Sequence, residues 1–238
     1  MRAIILAGGK GTRLMPYTTT IPKPLVPVGG MAIMEIVIQQ LANYGFDHVT
    51  VAVNHQAQLI RAYFEDGKQW GITINYSIED KALGTMGPLR LIKDLPEHFL
   101  VMNGDILTDL DYADLYQSHV DSRAIGTIST YERETKIDFG VLKYDGEKKL
   151  IADFVEKPVE HFCVSMGVYM FSREIIKFIP EGIPFGFDDL ILKFIEEKQD
   201  IRAHPFGGYW LDIGRPDDYD KANNEFDKIV DHLLPPKP

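Results

Sequence analysis

The feature that most constrains this 238-residue chain is a short apolar strand that runs directly into a glycine-rich segment. Residues 3–7 are all apolar, and the sequence continues as Gly8-Gly9-Lys10-Gly11-Thr12-Arg13-Leu14. A buried strand that ends in glycines exposes backbone N–H groups, and such groups bind phosphate oxygens. Arg13 and the Lys23 of Pro22-Lys23-Pro24 add two fixed positive charges. The pattern favours a triphosphate site, with an ordinary strand-to-helix turn as the alternative.

Two familiar phosphate motifs do not fit the spacing of this segment. A P-loop requires Gly, four residues and then Gly-Lys-Ser/Thr, whereas here Lys10 lies between glycines and Arg13 follows Thr12. A dinucleotide-binding fingerprint requires a third small residue where this chain has Leu14. The segment therefore predicts phosphate binding of another kind.

These residues resemble the signature of the sugar-1-phosphate nucleotidyltransferases, also called NDP-sugar pyrophosphorylases. The resemblance is carried by 8–14 followed by Pro22-Lys23-Pro24-Leu25, and later motifs extend it over most of the chain. It implies a Rossmann-like α/β core and the Mg2+-dependent joining of a nucleoside triphosphate to a sugar 1-phosphate, with release of pyrophosphate, for polysaccharide or glycoconjugate synthesis. We assign Arg13 to the leaving pyrophosphate and Lys23 to the α-phosphate.

Composition and charge limit the partners of the chain. Hydrophobic residues make up 45%, an ordinary globular value, and no apolar run approaches the ~20 residues that cross a bilayer. A formal net charge of −10 argues against nucleic-acid binding, which needs a basic surface. Cys163 is the sole cysteine, which excludes an internal disulfide and a cysteine-based zinc site. With no signal-peptide pattern at the N-terminus, we expect a reduced cytoplasmic setting and no membrane partner.

Strand and helix patterns alternate along the first half, which predicts a mostly parallel sheet flanked by helices. Strands are expected at 4–7, 49–53, 72–76 and 99–102, with helices at 33–44, 58–64 and 84–91. Later strands are expected at 124–131, 139–144, 151–155 and 164–171, helices from 174, around 188–197 and from 216 to about 230, and a frayed tail at 234–238. We predict one α/β domain over 1–238, with a nucleotide-binding lobe to about residue 120 and a smaller β-rich sugar-binding lobe at 121–238.

Two aspartates are the expected metal ligands. Asp105 comes just after the apolar run 99–102, and Asp212 follows the segment Tyr209-Trp210-Leu211. A carboxylate at the end of a buried strand is costly unless a cation meets it, and Mg2+ prefers oxygen ligands. The resemblance implies that Asp105 and Asp212 together hold the catalytic Mg2+. For either aspartate taken alone, a turn or a helix cap is an equally good interpretation.

Asp109-Leu110-Asp111 also spells the Asp-x-Asp pattern with which many glycosyltransferases hold a metal and a diphosphate. Asp111 precedes the expected start of a helix at Tyr112, so we expect it to be a helix N-cap. A nucleotide-sugar-dependent glycosyltransferase and a non-catalytic nucleotide-sugar sensor are the rival functions. A sensor would have lost some of the charged residues that bind metal or phosphate, whereas this chain retains Arg13, Lys23, Asp105, Lys157 and Asp212.

A second group of motifs predicts the sugar-phosphate site. Glu156-Lys157-Pro158 matches a family motif in which the glutamate accepts hydrogen bonds from sugar hydroxyls and the lysine binds the sugar phosphate. For this pair alone, an exposed Glu-Lys before a proline turn is the alternative. Gly140 resembles a family glycine whose backbone faces the sugar. Ser165 lies in a segment where the family often has Asn before Gly-x-Tyr, whereas this chain has Ser165-Met166.

The nucleobase is expected to contact the segment 77–87. Glu79 with Leu83-Gly84-Thr85-Met86-Gly87 is most similar to the mannose-1-phosphate guanylyltransferase branch. A carboxylate could accept hydrogen bonds from guanine N1–H and N2–H2, with a solvated loop residue as the alternative. The expected nucleotide-binding residues are Leu6, Ala7, Gly8, Gly9, Gly11, Thr12, Glu79, Gly84, Thr85, Asn103 and Gly104.

The sugar and the base stay open within this resemblance. Mannose-type guanylyltransferases often carry a C-terminal β-helix, for which 238 residues leave no room, so heptose 1-phosphate is as open as mannose 1-phosphate. A thymidylyl-, uridylyl- or cytidylyltransferase acting on glucose 1-phosphate is the alternative. The resemblance also implies a homodimer or a homotetramer.

Overall fold

A computed structural model describes residues 1–54 and 56–234. Its strands are β1 (Arg2–Leu6), β2 (Pro27–Val28), β3 (Met31–Ala32), β4 (His48–Val53), β5 (Thr73–Ile78), β6 (His98–Asn103), β7 (Ile106–Thr108), β8 (Gly126–Lys136), β9 (Val141–Tyr144), β10 (Ile151–Val155), β11 (Val159–Ser172), β12 (Ile201–Phe206) and β13 (Trp210–Asp212). Its α-helices are α1 (Ile33–Asn43), α2 (Ala57–Phe64), α3 (Tyr112–Ser122), α4 (Phe187–Glu196) and α5 (Pro216–Leu233). None of the helices in this part of the chain is both long and apolar enough for a bilayer crossing.

The central element is a seven-stranded sheet in the order β12-β8-β11-β6-β1-β4-β5. β1 pairs in parallel with β4 and β6, β4 with β5, and β8 with β12. β11 runs antiparallel to both β6 and β8. The predicted mostly parallel α/β sheet flanked by helices is confirmed, and strands from both halves of the chain share it.

Apolar helix faces cover both sides of this sheet. Ile5 of β1 belongs to a buried cluster with Leu41 of α1, whereas its neighbour Ile4 belongs to a cluster with Phe194 of α4. Successive side chains of a strand point to opposite faces, so a strand covered on both sides is apolar at every position. This explains why β1 is a continuous apolar run rather than an alternating one.

The topology brings several chain segments to one edge of the sheet. β1, β4, β5 and β6 are parallel and end at Leu6, Val53, Ile78 and Asn103. In open α/β sheets ligands bind at the carboxyl ends of the strands. The glycine-rich loop, the residues after β5 and the Gly104-Asp105 turn all begin from this edge.

The second half of the sheet continues into a long antiparallel ribbon. β8 and β11 pair from Phe171↔Gly126 out to Val159↔Lys136, with a register shift between Ser165 and Tyr169. β9 and β10 form a separate antiparallel hairpin between these two strands in sequence.

Some predicted elements are wrong, for identifiable reasons. Residues 84–91 form a turn and the 3-10 segment Gly87–Leu91 instead of a helix, since Gly84 has a φ of +77° and Pro88 lacks an N–H. The helix expected from Glu174 is likewise the 3-10 segment Arg173–Phe178. β12 was not predicted because it contains Pro205, which an edge strand tolerates. Of the predicted frayed tail, 235–238 lie outside the described residues.

Candidate active site

The glycine-rich loop after β1 forms one wall of a cavity of about 540 Å³. Gly11 has a φ of +64°, a left-handed conformation that favours glycine. The Gly11 carbonyl accepts a hydrogen bond from Thr18 Oγ1 at 2.7 Å. A Cβ atom at Gly8 would lie 3.0 Å from Glu79 Oε1 on the facing wall. The loop therefore favours glycine at Gly11 for its backbone conformation, and a side chain at Gly8 would crowd the Glu79 carboxylate.

All the residues predicted to bind nucleotide line this one cavity, as do Arg13, Lys23 and Asp105. The structure thus brings together groups that are spread over the first 105 residues of the sequence. Sequence reasoning missed Asn54, which also lines the cavity. The signal for Asn54 was its position directly after a predicted strand of the same parallel sheet.

Glu79 is a buried carboxylate in this cavity, with only 7% of its surface exposed. Glu79 Oε2 accepts a hydrogen bond from the Leu83 N–H at 2.9 Å. Burial raises the pKa of Glu79, and the bond from Leu83 opposes that rise. The solvated-loop alternative is therefore wrong. With Oε2 bonded to the loop, Oε1 is the atom that lies close to Gly8 in the cavity wall.

Asp105 and Asp212 come together because β7 and β13 pair. Asp212 lies opposite Ile106 in this antiparallel pair, and the Ile213 N–H donates to the Asp105 carbonyl at 3.1 Å. Asp105 Oδ2 accepts a hydrogen bond from Lys23 Nζ. Asp105 Oδ1 is buried and has no hydrogen-bond partner among the described residues.

The two carboxylates also influence each other electrostatically. Burial raises the pKa of Asp212, and the charge of Asp105 raises it further, whereas Lys23 and Arg13 lower it. An orphaned buried carboxylate oxygen beside a second carboxylate fits a divalent cation with oxygen ligands. Across 1–54 and 56–234, no group of three or more His, Cys, Asp or Glu side chains is placed to hold a metal ion. A pair of carboxylates suits Mg2+, which usually keeps waters and substrate phosphates as further ligands.

The Asp-x-Asp sequence has structural roles instead. Asp111 Oδ1 accepts hydrogen bonds from the Ala113 and Asp114 N–H groups, each at 2.9 Å, which confirms the predicted N-cap of α3. Asp109 Oδ1 accepts from the Tyr209 N–H at 2.7 Å. Because both carboxylates hold backbone groups, this geometry does not favour a metal–diphosphate site of the glycosyltransferase kind.

The predicted sugar-phosphate residues lie outside the nucleotide cavity. Glu156 and Lys157 follow β10, with side chains 61% and 56% exposed, and Lys157 Nζ is 3.9 Å from Glu156 Oε1. Lys157 has a φ of +46°, a backbone conformation that is uncommon for a non-glycine residue. Gly140 approaches this pair closely, since a Cβ atom there would lie 3.1 Å from Glu156 Oε2. Ser165 lies apart from them, at the register shift in β11, where its hydroxyl bonds Tyr169 at 3.4 Å.

Comparison with known proteins agrees with this geometry. The family model described as Nucleotidyl transferase matches residues 2–228. A UTP–glucose-1-phosphate uridylyltransferase from Synechocystis sp. is 36% identical over 242 residues, covering 93% of this chain and 62% of the relative. A mannose-1-phosphate guanylyltransferase catalytic subunit beta from Dictyostelium discoideum is 37% identical over 225 residues, covering 92% of this chain and 62% of the relative. The chain thus spans about 62% of the length of these curated relatives.

A solved structure is similar over nearly its whole length. HddC from Yersinia pseudotuberculosis matches with a TM-score of 0.74 and 28% identity, covering 94% of this chain and 99% of the HddC chain. HddC complexed with GMP-PN matches with a TM-score of 0.72. Because the family model covers almost the entire described chain, and the structure brings Asp105 and Asp212 together beside the sheet edge that carries the glycine loop, this chain belongs to the nucleotidyl transferase family.

Proposed function

We propose that this protein transfers a nucleotidyl group from a nucleoside triphosphate to a sugar 1-phosphate and releases pyrophosphate. The observation that carries the proposal is one cavity in which a glycine-rich loop, the cations Arg13 and Lys23, and the carboxylate of Asp105 converge. Membership of the family and the names of both curated relatives support the same reaction class.

In the proposed reaction, a sugar phosphate oxygen attacks the α-phosphorus of the triphosphate, and pyrophosphate leaves in line. The nucleophile is already an anion near neutral pH, so no general base is needed. The task of the protein is positioning and charge stabilisation. Lys23 would bind the α-phosphate, Arg13 the leaving pyrophosphate and Lys157 the sugar phosphate.

Mg2+ belongs to the proposal, with Asp105 and Asp212 as the residues that would hold it. When bound, such an ion neutralises phosphate charge and orients the oxygens around the reacting phosphorus. Lys23 lies against Asp105 Oδ2, so its positive charge is beside the proposed metal ligand and the proposed position of the α-phosphate. Asp105 Oδ1, which lacks a partner among the described residues, is the atom best suited to meet the ion.

We further infer that GTP is the preferred nucleotide, with mannose 1-phosphate, heptose 1-phosphate or a related sugar as acceptor. Guanine presents two adjacent donors, N1–H and N2–H2, whereas uracil presents one N–H flanked by carbonyl oxygens that would repel a carboxylate. Glu79 supplies a buried carboxylate inside the cavity. The solved complex of HddC with GMP-PN supports a guanine nucleotide as the substrate of this protein. The name of the Synechocystis relative supports a second candidate pair, UTP with glucose 1-phosphate.

The sugar 1-phosphate would bind between the ribbon and the β9–β10 hairpin. Gly140 and Glu156 come together there, and Lys157 follows directly in sequence. The resemblance implies that Glu156 accepts hydrogen bonds from the sugar hydroxyls and that Lys157 binds the sugar phosphate. The resemblance also assigns Ser165 to the sugar, but the structure sets this residue apart from the other three, at the register shift in β11.

The test is pyrophosphate release with Mg2+ for GTP, UTP, dTTP, CTP and ATP, each paired with mannose, glucose and heptose 1-phosphates. We expect release with GTP and one of mannose or heptose 1-phosphate. Activity confined to UTP, dTTP or CTP would keep the reaction class and refute the choice of base. No release from any pair would refute the proposed function.

A variant at Glu79 tests how the base is recognised. Glu79→Gln places an amide N–H2 group where guanine donors would meet the carboxylate, so the KM for GTP should rise about tenfold or more with little change in kcat. Glu181→Gln, at an exposed position outside the cavity, is the matched control. An unchanged KM for GTP in Glu79→Gln would show that this carboxylate does not bind guanine.

A further inference from the structure

A second cavity, of about 590 Å³, lies beside the nucleotide cavity. Arg13 and Gly214 line both cavities, so the two meet at these residues. One wall is β8, where Tyr131 and Arg133 are two residues apart and therefore share a strand face. The facing wall is β13, whose Trp210 ring lies 5.2 Å from the Tyr131 ring.

Four cations line this cavity beside three carboxylates, so its local charge is slightly positive although the formal net charge of the chain is −10. The cations are Arg13, Arg133, Arg215 and Lys221, and the carboxylates are Asp212, Asp217 and Asp218. Within 1–54 and 56–234, none of these four side chains forms an ion pair with a carboxylate. A group of exposed cations without carboxylate partners, arranged around one open cavity, suits a ligand of high negative charge.

The carboxylates of the same cavity have other roles. Asp218 Oδ2 accepts a hydrogen bond from the Arg215 backbone N–H at 2.9 Å, as a cap at the start of α5. Asp212 is a proposed ligand of Mg2+. Asp217 lies in the first turn of α5, where the helix dipole favours a negative charge. The guanidinium groups of Arg133 and Arg215 are therefore available to an anion.

The order of strands indicates which anion would reach this cavity. Glu79 follows β5, the glycine loop follows β1, and Asp105 follows β6, so base recognition and metal binding lie on opposite sides of the loop. A triphosphate whose base lies beside Glu79 would extend along the loop towards Arg13, where the second cavity begins. The predicted sugar residues Gly140, Glu156 and Lys157 do not line it.

We propose that the second cavity binds the leaving pyrophosphate, with Arg133, Arg215 and Lys221 acting together with Arg13. The inference rests on the proposed function, because it gives a site to one product of that reaction. The attacking and leaving oxygens of a phosphoryl-type transfer lie roughly in line. Separate sites for the sugar phosphate and for pyrophosphate satisfy this requirement.

The step balances with the proposed substrates alone. A bond forms between a sugar phosphate oxygen and the α-phosphorus, and the bond from the α-phosphorus to the α,β-bridging oxygen breaks. The electron pair of the broken bond stays on pyrophosphate, whose added charge the guanidinium and ammonium groups stabilise. In the reverse direction a pyrophosphate oxygen attacks the α-phosphorus of the NDP-sugar, so the same site binds pyrophosphate as a substrate.

The test compares Arg133→Gln, Arg215→Gln and Lys221→Gln with Lys228→Gln, which changes an exposed lysine of α5 outside the cavity. Calorimetry with Mg2+ gives the Kd for pyrophosphate, and pyrophosphorolysis of the NDP-sugar gives its KM. We expect both constants to rise about tenfold or more in each cavity variant and to stay unchanged in Lys228→Gln. All four side chains are exposed, so melting temperatures should match that of the unaltered protein.

Three results would overturn the inference. They are equal pyrophosphate affinity in the cavity variants and Lys228→Gln, no pyrophosphate binding by the unaltered protein, and an effect confined to the KM of a sugar bisphosphate. The last result would assign the cavity to a second phosphate on the sugar. If the unaltered protein binds pyrophosphate through these residues but transfers no nucleotide, the proposed function fails and the site stands.

Discussion

Lys23 has a constrained backbone, and its ammonium group lies beside Asp105. It begins the 3-10 segment Lys23–Leu25 between Pro22 and the buried Pro24, and its side chain bonds Asp105. Two prolines limit the backbone freedom of this segment, because each fixes its own φ. The backbone that presents the ammonium group to Asp105 is therefore restricted before folding, and the bond to Asp105 orders the side chain itself.

Replacing this lysine tests the electrostatic contribution. Lys23→Ala should lower kcat by ~10² to 10³ while the protein stays folded, because it removes a preorganised charge from the proposed position of the α-phosphate. Single-turnover assays and circular dichroism measure the two properties. Lys93→Ala, an exposed lysine away from the cavity, should leave kcat unchanged. Near-normal turnover in Lys23→Ala would contradict the assignment.

At the level of elements, the sequence predicts the positions of buried strands but does not predict which short strands pair with each other. β1, β4 and β6 are continuous apolar runs covered on both faces, and their positions follow from the sequence to within a few residues. The sequence also predicts that the carboxyl ends of these strands share one edge of the sheet, because the helices between them imply parallel strands. The contact between Asp105 and Asp212 depends on the β7–β13 pairing of two short segments far apart in sequence. Neither segment has a pattern that specifies its partner.

The packing of α3 on the sheet contains a buried histidine that makes stability depend on pH. His119 is fully buried, its Nδ1 lies 2.9 Å from Thr127 Oγ1, and its ring is 5.1 Å from that of His98. His119 Nε2 has no hydrogen-bond partner among the described residues. Burial, reinforced by His98, lowers the pKa of His119 to about 4. The folded state therefore holds this imidazole in its neutral form.

We expect acid to destabilise the protein through this residue. The unfolded chain takes up the proton near the ordinary histidine pKa of about 6.5, so the stability is fully present above that pH and is lost as pH falls towards about 4. The loss should reach about 2 to 3 kcal/mol by about pH 4.5. Denaturant unfolding across this range measures it, and His119→Gln should flatten the slope. An equal slope in His119→Gln and in the exposed-site control His232→Gln would refute this account.

On the scale of the whole molecule, the C-terminal helix closes against the segment that carries Lys23. Phe226 of α5 packs over Gly29, where a Cβ atom would lie 1.9 Å from the phenylalanine ring. The Gly29 N–H donates to Asn223 Oδ1 at 3.3 Å, and the Tyr17 and Tyr219 rings lie 4.5 Å apart. The start and end of the described chain therefore hold one another in place around the active site.

Phe226→Ala tests whether this closure supports the site. Phe226 is 5% exposed, and removing its ring should lower the free energy of unfolding by roughly 3 to 5 kcal/mol. The control is Ile195→Ala on α4, which should cost about 0.5 kcal/mol or less because Ile195 is 61% exposed. Because α5 packs on residues 17–29, kcat should also fall at temperatures where the variant is still folded. A lower melting temperature with normal kcat would mean that α5 stabilises the molecule without positioning Lys23. An unchanged melting temperature would mean that the closure contributes little to stability.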